Sequence, residues 1–139
     1  MAETRQQLNR MLLEAFRVLD AEVAAALAAR GAEDLGPRHA AAILLVDRKG
    51  VRLTDMAERA GITKQAMMQV VDDLEAFGHV RRGPDPSDAR AKIVRLTPKG
   101  EKERAEAGKA VAVAEARIRR RLGPANYESL RGILASITG

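Results

Sequence analysis

The run Gly83-Pro84-Asp85-Pro86-Ser87-Asp88-Ala89-Arg90-Ala91-Lys92-Ile93-Val94-Arg95-Leu96-Thr97-Pro98-Lys99-Gly100 joins two kinds of backbone. Its first part cannot continue a helix: the prolines fix φ and lack an N–H, and Gly, Asp and Ser favour turns. Ile93-Val94-Arg95-Leu96 is short, rich in β-branched residues and bounded by turn signals, which predicts a strand. Upstream, Val80-Arg81-Arg82 supplies its partner. The expected product is a two-stranded hairpin with arginines at its base and Arg90 at its tip.

The chain before the hairpin reads as two short helices joined by a tight turn. Thr54 is placed to cap the first, Asp55 to Ala60, with Asp55 in its first turn. Gly61-Ile62-Thr63 forms the turn, and Thr63 caps the second helix, Lys64 to about Phe77, which stops at Gly78. Val51-Arg52-Leu53 is a short extended piece able to pair with the hairpin. On the second helix Met67, Val70, Val71 and Leu74 share one side, expected to face a core with Met56, Ala57 and Ile62. Lys64, Gln65, Met68, Gln69 and Asp72 fall on the other side.

That outward side has the chemistry of a major-groove reader. Glutamine bonds adenine bidentately, and an exposed methionine can rest on a thymine methyl. Lys64 and the free N–H groups of the first turn favour a phosphate. The candidate DNA contacts are therefore Thr54, Thr63, Lys64, Gln65, Met68 and Gln69, joined by Arg82, Asp88, Arg90 and Lys92 from the hairpin. Arg90 is expected to extend into a minor groove, with Asp88 holding the loop. The plainer alternative has Asp88 and Arg90 closing the turn as a surface ion pair, worth at most about 1 kcal/mol. Asp72 and Asp73 would repel DNA if buried in the groove, but they sit toward the helix end that leaves the bases.

Both flanks of this unit are helical. Residues 4–30 carry Leu8, Leu12, Phe16, Leu19, Val23 and Leu27 at spacings of three or four, predicting a long amphipathic helix stopped by Gly31. Gly36-Pro37 starts another, running through Ile43, Leu44 and Val46 to end near Lys49-Gly50. Thr97-Pro98 opens a third long helix through about Arg121, Gly123-Pro124 breaks it, and a last helix carries Tyr127, Leu130, Leu134 and Ile137 on one face. A small core cannot bury both amphipathic ends, so Leu8, Leu12, Phe16, Leu19, Tyr127, Leu130, Leu134 and Ile137 are expected to pair with a second copy as a homodimer. The fold expected is mostly α with a small β-wing, in one domain over 1–139. Within it, 36–100 forms a winged helix-turn-helix, and 1–35 with 101–139 forms a helical dimerisation platform.

Composition supports this placement. In a chain of 139 residues, 46% are hydrophobic but only 2% aromatic, which suits helix-on-helix packing over a β-sandwich. The net charge of +5 is uneven: residues 1–50 balance, and the excess arises from residue 51 onward, where a polyanion reader needs it. Arg117, Arg119, Arg120 and Arg121 cluster at a helix end, where the helix dipole and solvation account for them. The chain has no cysteine, which excludes disulfides and thiolate metal sites. Its longest apolar run, Ala40 to Val46, is far too short to cross a bilayer, and charges interrupt the N-terminus. A cytoplasmic location without a membrane partner is expected.

Other functions find less support. His39 and His79 have no ligand-spaced partners, and no carboxylate dyad, nucleophile–base pair or phosphate-binding glycine loop is present, so neither catalysis, a metal nor a cofactor is expected. A winged helix used only for protein interaction, without DNA binding, would call for an apolar or acidic outward face and a neutral wing. Lys64, Gln65, Gln69, Arg90, Lys92 and Arg95 argue against that alternative.

The chain resembles the MarR family of bacterial transcriptional regulators. Asp85-Pro86-Ser87-Asp88-Ala89-Arg90 followed by Val94-Arg95-Leu96-Thr97-Pro98-Lys99-Gly100 is similar to the family's wing signature. Leu53 to Lys64 resembles its helix-turn-helix entry, and Asp72 to Arg82 its recognition-helix exit. The resemblance implies a homodimer on a pseudo-palindromic promoter site in double-stranded DNA, commonly a repressor released by a small aromatic or phenolic effector. It also implies a ligand cleft between platform and winged core, near Gly36-Pro37-Arg38-His39.

Overall fold

The hairpin forms, and it is longer than its β-branched residues alone foretell. In the computed structural model, which describes residues 5–32 and 34–139, β2 spans Val80–Asp85 and β3 spans Asp88–Leu96. The two pair antiparallel from Val80↔Leu96 to Pro84↔Lys92, with an irregularity between Pro84 and Asp85. Pro84 is tolerated because β2 is an edge strand, which leaves the missing N–H without a ladder to break. The turn thus shrinks to Pro86-Ser87, where the Asp85 carboxylate accepts the Ser87 N–H at 2.9 Å and the Ser87 hydroxyl at 2.8 Å. A third strand, β1 (Val51–Arg52), pairs with the far edge of β3 through Val51↔Val94 and Arg52↔Ile93, giving the order β1-β3-β2.

Helices account for the rest: α1 (Leu8–Ala29), α2 (Pro37–Leu44), α3 (Leu53–Ala60), α4 (Lys64–Ala76), α5 (Pro98–Leu122) and α6 (Pro124–Thr138). The residue-4 start expected for the first helix lies outside the described residues. Thr63 caps α4 as expected, its hydroxyl accepting the Ala66 N–H at 3.1 Å. Gly61 (φ +67°) and Gly78 (φ +83°) stop α3 and α4 in the left-handed region that only glycine enters at no cost.

Two helix boundaries differ from expectation. Thr54 does not cap α3; the helix begins at Leu53, with Arg52 as the extended residue before it. Arg52 is still held in the sheet opposite Ile93, so the chain passes from strand to helix in one step. The second helix ends at Leu44 and not near Lys49, because the Arg104 guanidinium takes the Leu44 carbonyl at 3.1 Å and a turn from Asp47 to Gly50 follows.

Leu27, Ile43, Val46, Met56, Met67, Val71, Leu74, Val80 and Val94 form the largest fully buried side chains of the core. Met67, Val70, Val71 and Leu74 face it as the helical spacing predicts. Ile62 does not: it is 40% exposed, because the left-handed turn at Gly61 swings it out of the space between α3 and α4. α5 runs against α1 through Ala107, Ala110 and Ala114, all fully buried, whose small side chains let the two backbones approach. Arg30–Glu106 and Arg117–Glu22 pairs lock the same contact.

α5 starts on the strand entry. Thr97 donates its hydroxyl to the Gly78 carbonyl at 2.6 Å and accepts the Gly100 N–H at 3.0 Å. Gly100 is required here, since a Cβ would stand 1.8 Å from the His79 carbonyl oxygen. His79 is buried beneath this junction, and burial pulls its pKa down.

Candidate nucleic-acid interface

The first half of α4 is an exposed shelf. Lys64, Gln65, Met68 and Gln69 all face solvent, because the buried stripe of Met67, Val70 and Val71 turns them outward. The N-terminal N–H groups of α4 open on the same side. One is satisfied by Thr63, so that hydroxyl is already committed to its cap.

Beside this shelf stands the wing. A cleft of about 260 Å³ separates the two and is lined by Arg52, Leu53, Thr54, Lys64, Asp88, Arg90, Ala91 and Lys92. Residues 52–54, 64 and 88–92 are distant in sequence, and the sheet brings them together by pairing β1 with β3. Among the described residues, Lys64, Arg90 and Lys92 have no carboxylate within ion-pair reach. Three cations without an ion-pair partner outweigh Asp88, the free acid on the same cleft wall, and leave a net positive field for a polyanion.

Asp88 and Arg90 do not form the side-chain ion pair of the plainer alternative. Asp88 Oδ1 instead accepts the Arg90 backbone N–H at 3.0 Å. The carboxylate orders the tip, and the guanidinium is left exposed.

Arg82 stands apart from the other candidate contacts. Its guanidinium is paired with Asp72 and Glu75 on α4, and its N–H is accepted by Glu75 at 3.0 Å. The Arg82 side chain holds the Glu75 carboxyl below its ordinary range. Of the ten expected DNA contacts, Arg82 is the one the fold turns inward against its own recognition helix.

Two residues escape the sequence reading. Arg52 looks like an unremarkable strand residue, yet its Nε donates to Asp85 Oδ2 at 2.7 Å and its guanidinium borders the cleft. Asp85, 7% exposed, also bonds Ser87, and these contacts, the Ser87 N–H foremost, lower its pKa. No local signal links residues 33 positions apart in the chain. His39 is the second: its Nδ1 accepts the Gly36 N–H at 3.0 Å and its Nε2 lies 2.9 Å from the Asp73 carboxylate, tying the start of α2 to α4.

The residues expected to pair with a second copy divide by burial. Leu8, Leu12, Phe16, Leu130, Leu134 and Ile137 are exposed, and α6 buries none of its residues. Leu19 is half-buried against the chain's own core, and Tyr127 is half-buried with Arg131 stacked 5.9 Å from its ring centre. Among the described residues no group of three His, Cys, Asp or Glu is placed to hold a metal. Among the described residues no helix is long and apolar enough to cross a membrane.

A two-helix reader with a basic wing and a cationic cleft between them defines a winged helix-turn-helix protein. The MarR family model matches residues 33–91. Across 66 residues the chain is 35% identical to the transcriptional regulator HosA of Escherichia coli O111:H-, a match covering 48% of this chain and 49% of that relative. The chain thus spans about half the length of that curated relative. The whole chain superposes on the transcriptional repressor CouR bound to a 23-mer DNA duplex, with TM-score 0.83, 29% identity, and coverage of 99% of this chain and 100% of that one. It is similar also to CouR of Rhodococcus jostii RHA1 bound to p-coumaroyl-CoA, with TM-score 0.79, 27% identity, and coverage of 95% and 92%. The chain is thus similar to MarR-family regulators, in sequence over residues 33–91 and in fold along its length.

Proposed function

We propose that this protein is a sequence-specific, DNA-binding transcriptional repressor that acts in the cytoplasm as a homodimer on a pseudo-palindromic promoter site. The observation that carries this reading is the cleft beside the start of α4 and the wing, where Lys64, Arg90 and Lys92 face solvent and, among the described residues, make no ion pair. In this reading Gln65, Met68 and Gln69 meet base edges in the major groove, and Lys64 and the first-turn N–H groups of α4 meet a phosphate. Thr54 and Lys92 line the walls, Asp88 orders the wing tip, and Arg90 enters the adjacent minor groove. Residues 36–100 form the reading unit, and both chain ends form the platform that spaces two such units along the duplex.

A small-molecule effector that releases the DNA is the further part of this reading. Its support is the p-coumaroyl-CoA bound to a related repressor of the same fold. An effector seated between platform and winged core would change the spacing of the two α4 helices, which the duplex fixes.

The test is selection of duplexes from a randomised pool by the purified protein, followed by Gln69→Ala. A two-fold-related consensus is expected. Gln69→Ala should then weaken binding to the selected duplex by about 1–3 kcal/mol while binding to random DNA barely changes. Equal loss on both would show that Gln69 does not read bases, and no enrichment at all would end the operator reading.

A further inference from the structure

We infer that Arg82 is a positioning residue that masks the acids of the recognition helix, and that it does not itself hold the nucleic acid; the inference rests on the DNA-binding reading above. The two halves of α4 differ in charge. Its first half presents Lys64, Gln65, Met68 and Gln69, whereas its second half carries Asp72, Asp73 and Glu75. Bare carboxylates beside a docked duplex would face its phosphates, and like charges brought together in an interface oppose binding.

Each of these acids is answered from within the chain. Asp73 is met by His39 at 2.9 Å. One terminal nitrogen of Arg82 serves both others, donating to Asp72 Oδ1 and, at 3.3 Å, to Glu75 Oε1. The Arg82 side chain is only 25% exposed, while Asp72 and Glu75 are 57% and 40% exposed. The cation therefore lies beneath the acids and screens them, and it is poorly placed to reach outward. Its strand neighbour Arg81 is exposed and, among the described residues, has no acid partner, so pairing is particular to Arg82 and not general to the wing base.

The same contact fixes geometry. Glu75 Oε2 accepts the Arg82 backbone N–H, which pins the start of β2 against the last turns of α4. This backbone bond ties reading helix to wing and does not depend on the guanidinium, whose part is to mask the acids.

The experiment compares wild type, Arg82→Met, the double variant Asp72→Asn/Glu75→Gln, and the triple variant combining all three, on the duplex that wild type selects, at one fixed salt concentration. Methionine keeps the apolar stem of Arg82, and glutamine keeps an acceptor for the Arg82 N–H. Arg82→Met should lose about tenfold or more in affinity, because two acids are bared. The triple variant should return to within about threefold of wild type, since nothing is left to mask. A triple variant as weak as Arg82→Met would show that bared acids are not the cause of the loss and would overturn the inference. So would undiminished binding by Arg82→Met alone. Should Arg82→Met fail to fold, the triple variant against wild type decides by the same criterion. A wild type that enriches no duplex sinks the operator reading and this inference together, which separates that failure from a failure of the mask alone.

Discussion

The winged core and the terminal helices are built from similar residues and end in opposite states. In the core, Met56, Val71, Leu74 and Val94 are fully buried within one chain. At the ends, Leu8 is 65% exposed, Phe16 59% and Ile137 62%, although each lies on a regular amphipathic stripe. An apolar face has the same drive to leave water wherever it lies, at about 25 cal/mol per Å². What differs is the partner: α3, α4 and the sheet cover one another, whereas among the described residues α6 packs chiefly on α5. A large apolar face left uncovered in one chain is what the proposed homodimer would cover.

That contrast can be broken most decisively at the C-terminus. Removing residues 125–139 should abolish self-association and leave a monomeric or aggregating protein, read by sedimentation at micromolar concentration. A full-length chain that sediments as a monomer would remove the platform from the reading altogether. Next in size is Leu74→Ala, which opens a cavity in the self-sufficient half. It should cost about 2–5 kcal/mol in denaturant unfolding, whereas Leu8→Ala should shift association and leave the core's packing alone.

The wing offers smaller and sharper effects. Arg90→Ala should weaken operator binding and reduce the salt dependence of binding by about one phosphate equivalent. Fold and association should stay intact by circular dichroism and sedimentation, because the side chain lies outside core and platform. Arg90→Lys keeps the charge without the planar guanidinium and should recover part of the loss. Unchanged affinity in the alanine variant would leave Arg90 a turn residue.

The smallest effect expected is on the pH dependence of the wing tip. Asp85 is held below the usual carboxylate range by the Ser87 N–H first, then by the Ser87 hydroxyl and Arg52. A depressed carboxyl pKa contributes order that is fully present above the unfolded value, about 3.9, and is lost as pH falls through the lower folded value. The protection of the Ser87 amide, measured against its intrinsic exchange rate at each pH, should therefore fall on acidification while the core amides keep theirs. A Ser87 protection factor indifferent to acid would show that Asp85 does not hold the turn.

Much of the architecture was legible because its causes are local. Thr63 as a cap, Gly61 and Gly78 as stops, and the inward stripe of Met67, Val70, Val71 and Leu74 all follow from the chemistry of a few neighbouring residues. The hairpin was legible for the same reason, and so was the outward placing of Gln65, Met68 and Gln69. The misjudged boundaries have non-local causes. Thr54 lost its capping place because β1 pairs with β3, and the second helix ended early where Arg104 caps Leu44 from α5.

The division between the two kinds of knowledge is therefore one of range. Sequence alone determined which segments are helix or strand, which faces are apolar, and that a basic hairpin follows a helix-turn-helix, since these depend on φ preferences and on periods of two and 3.6 residues. Only tertiary structure decided which charges are free. Arg82 and Arg90 are both wing arginines in the sequence; one is folded onto Asp72 and Glu75 of α4, and the other is left exposed at the tip. Pairing of charges depends on distances of a few ångströms between residues far apart along the chain, and those distances exist only once the sheet and helices have packed.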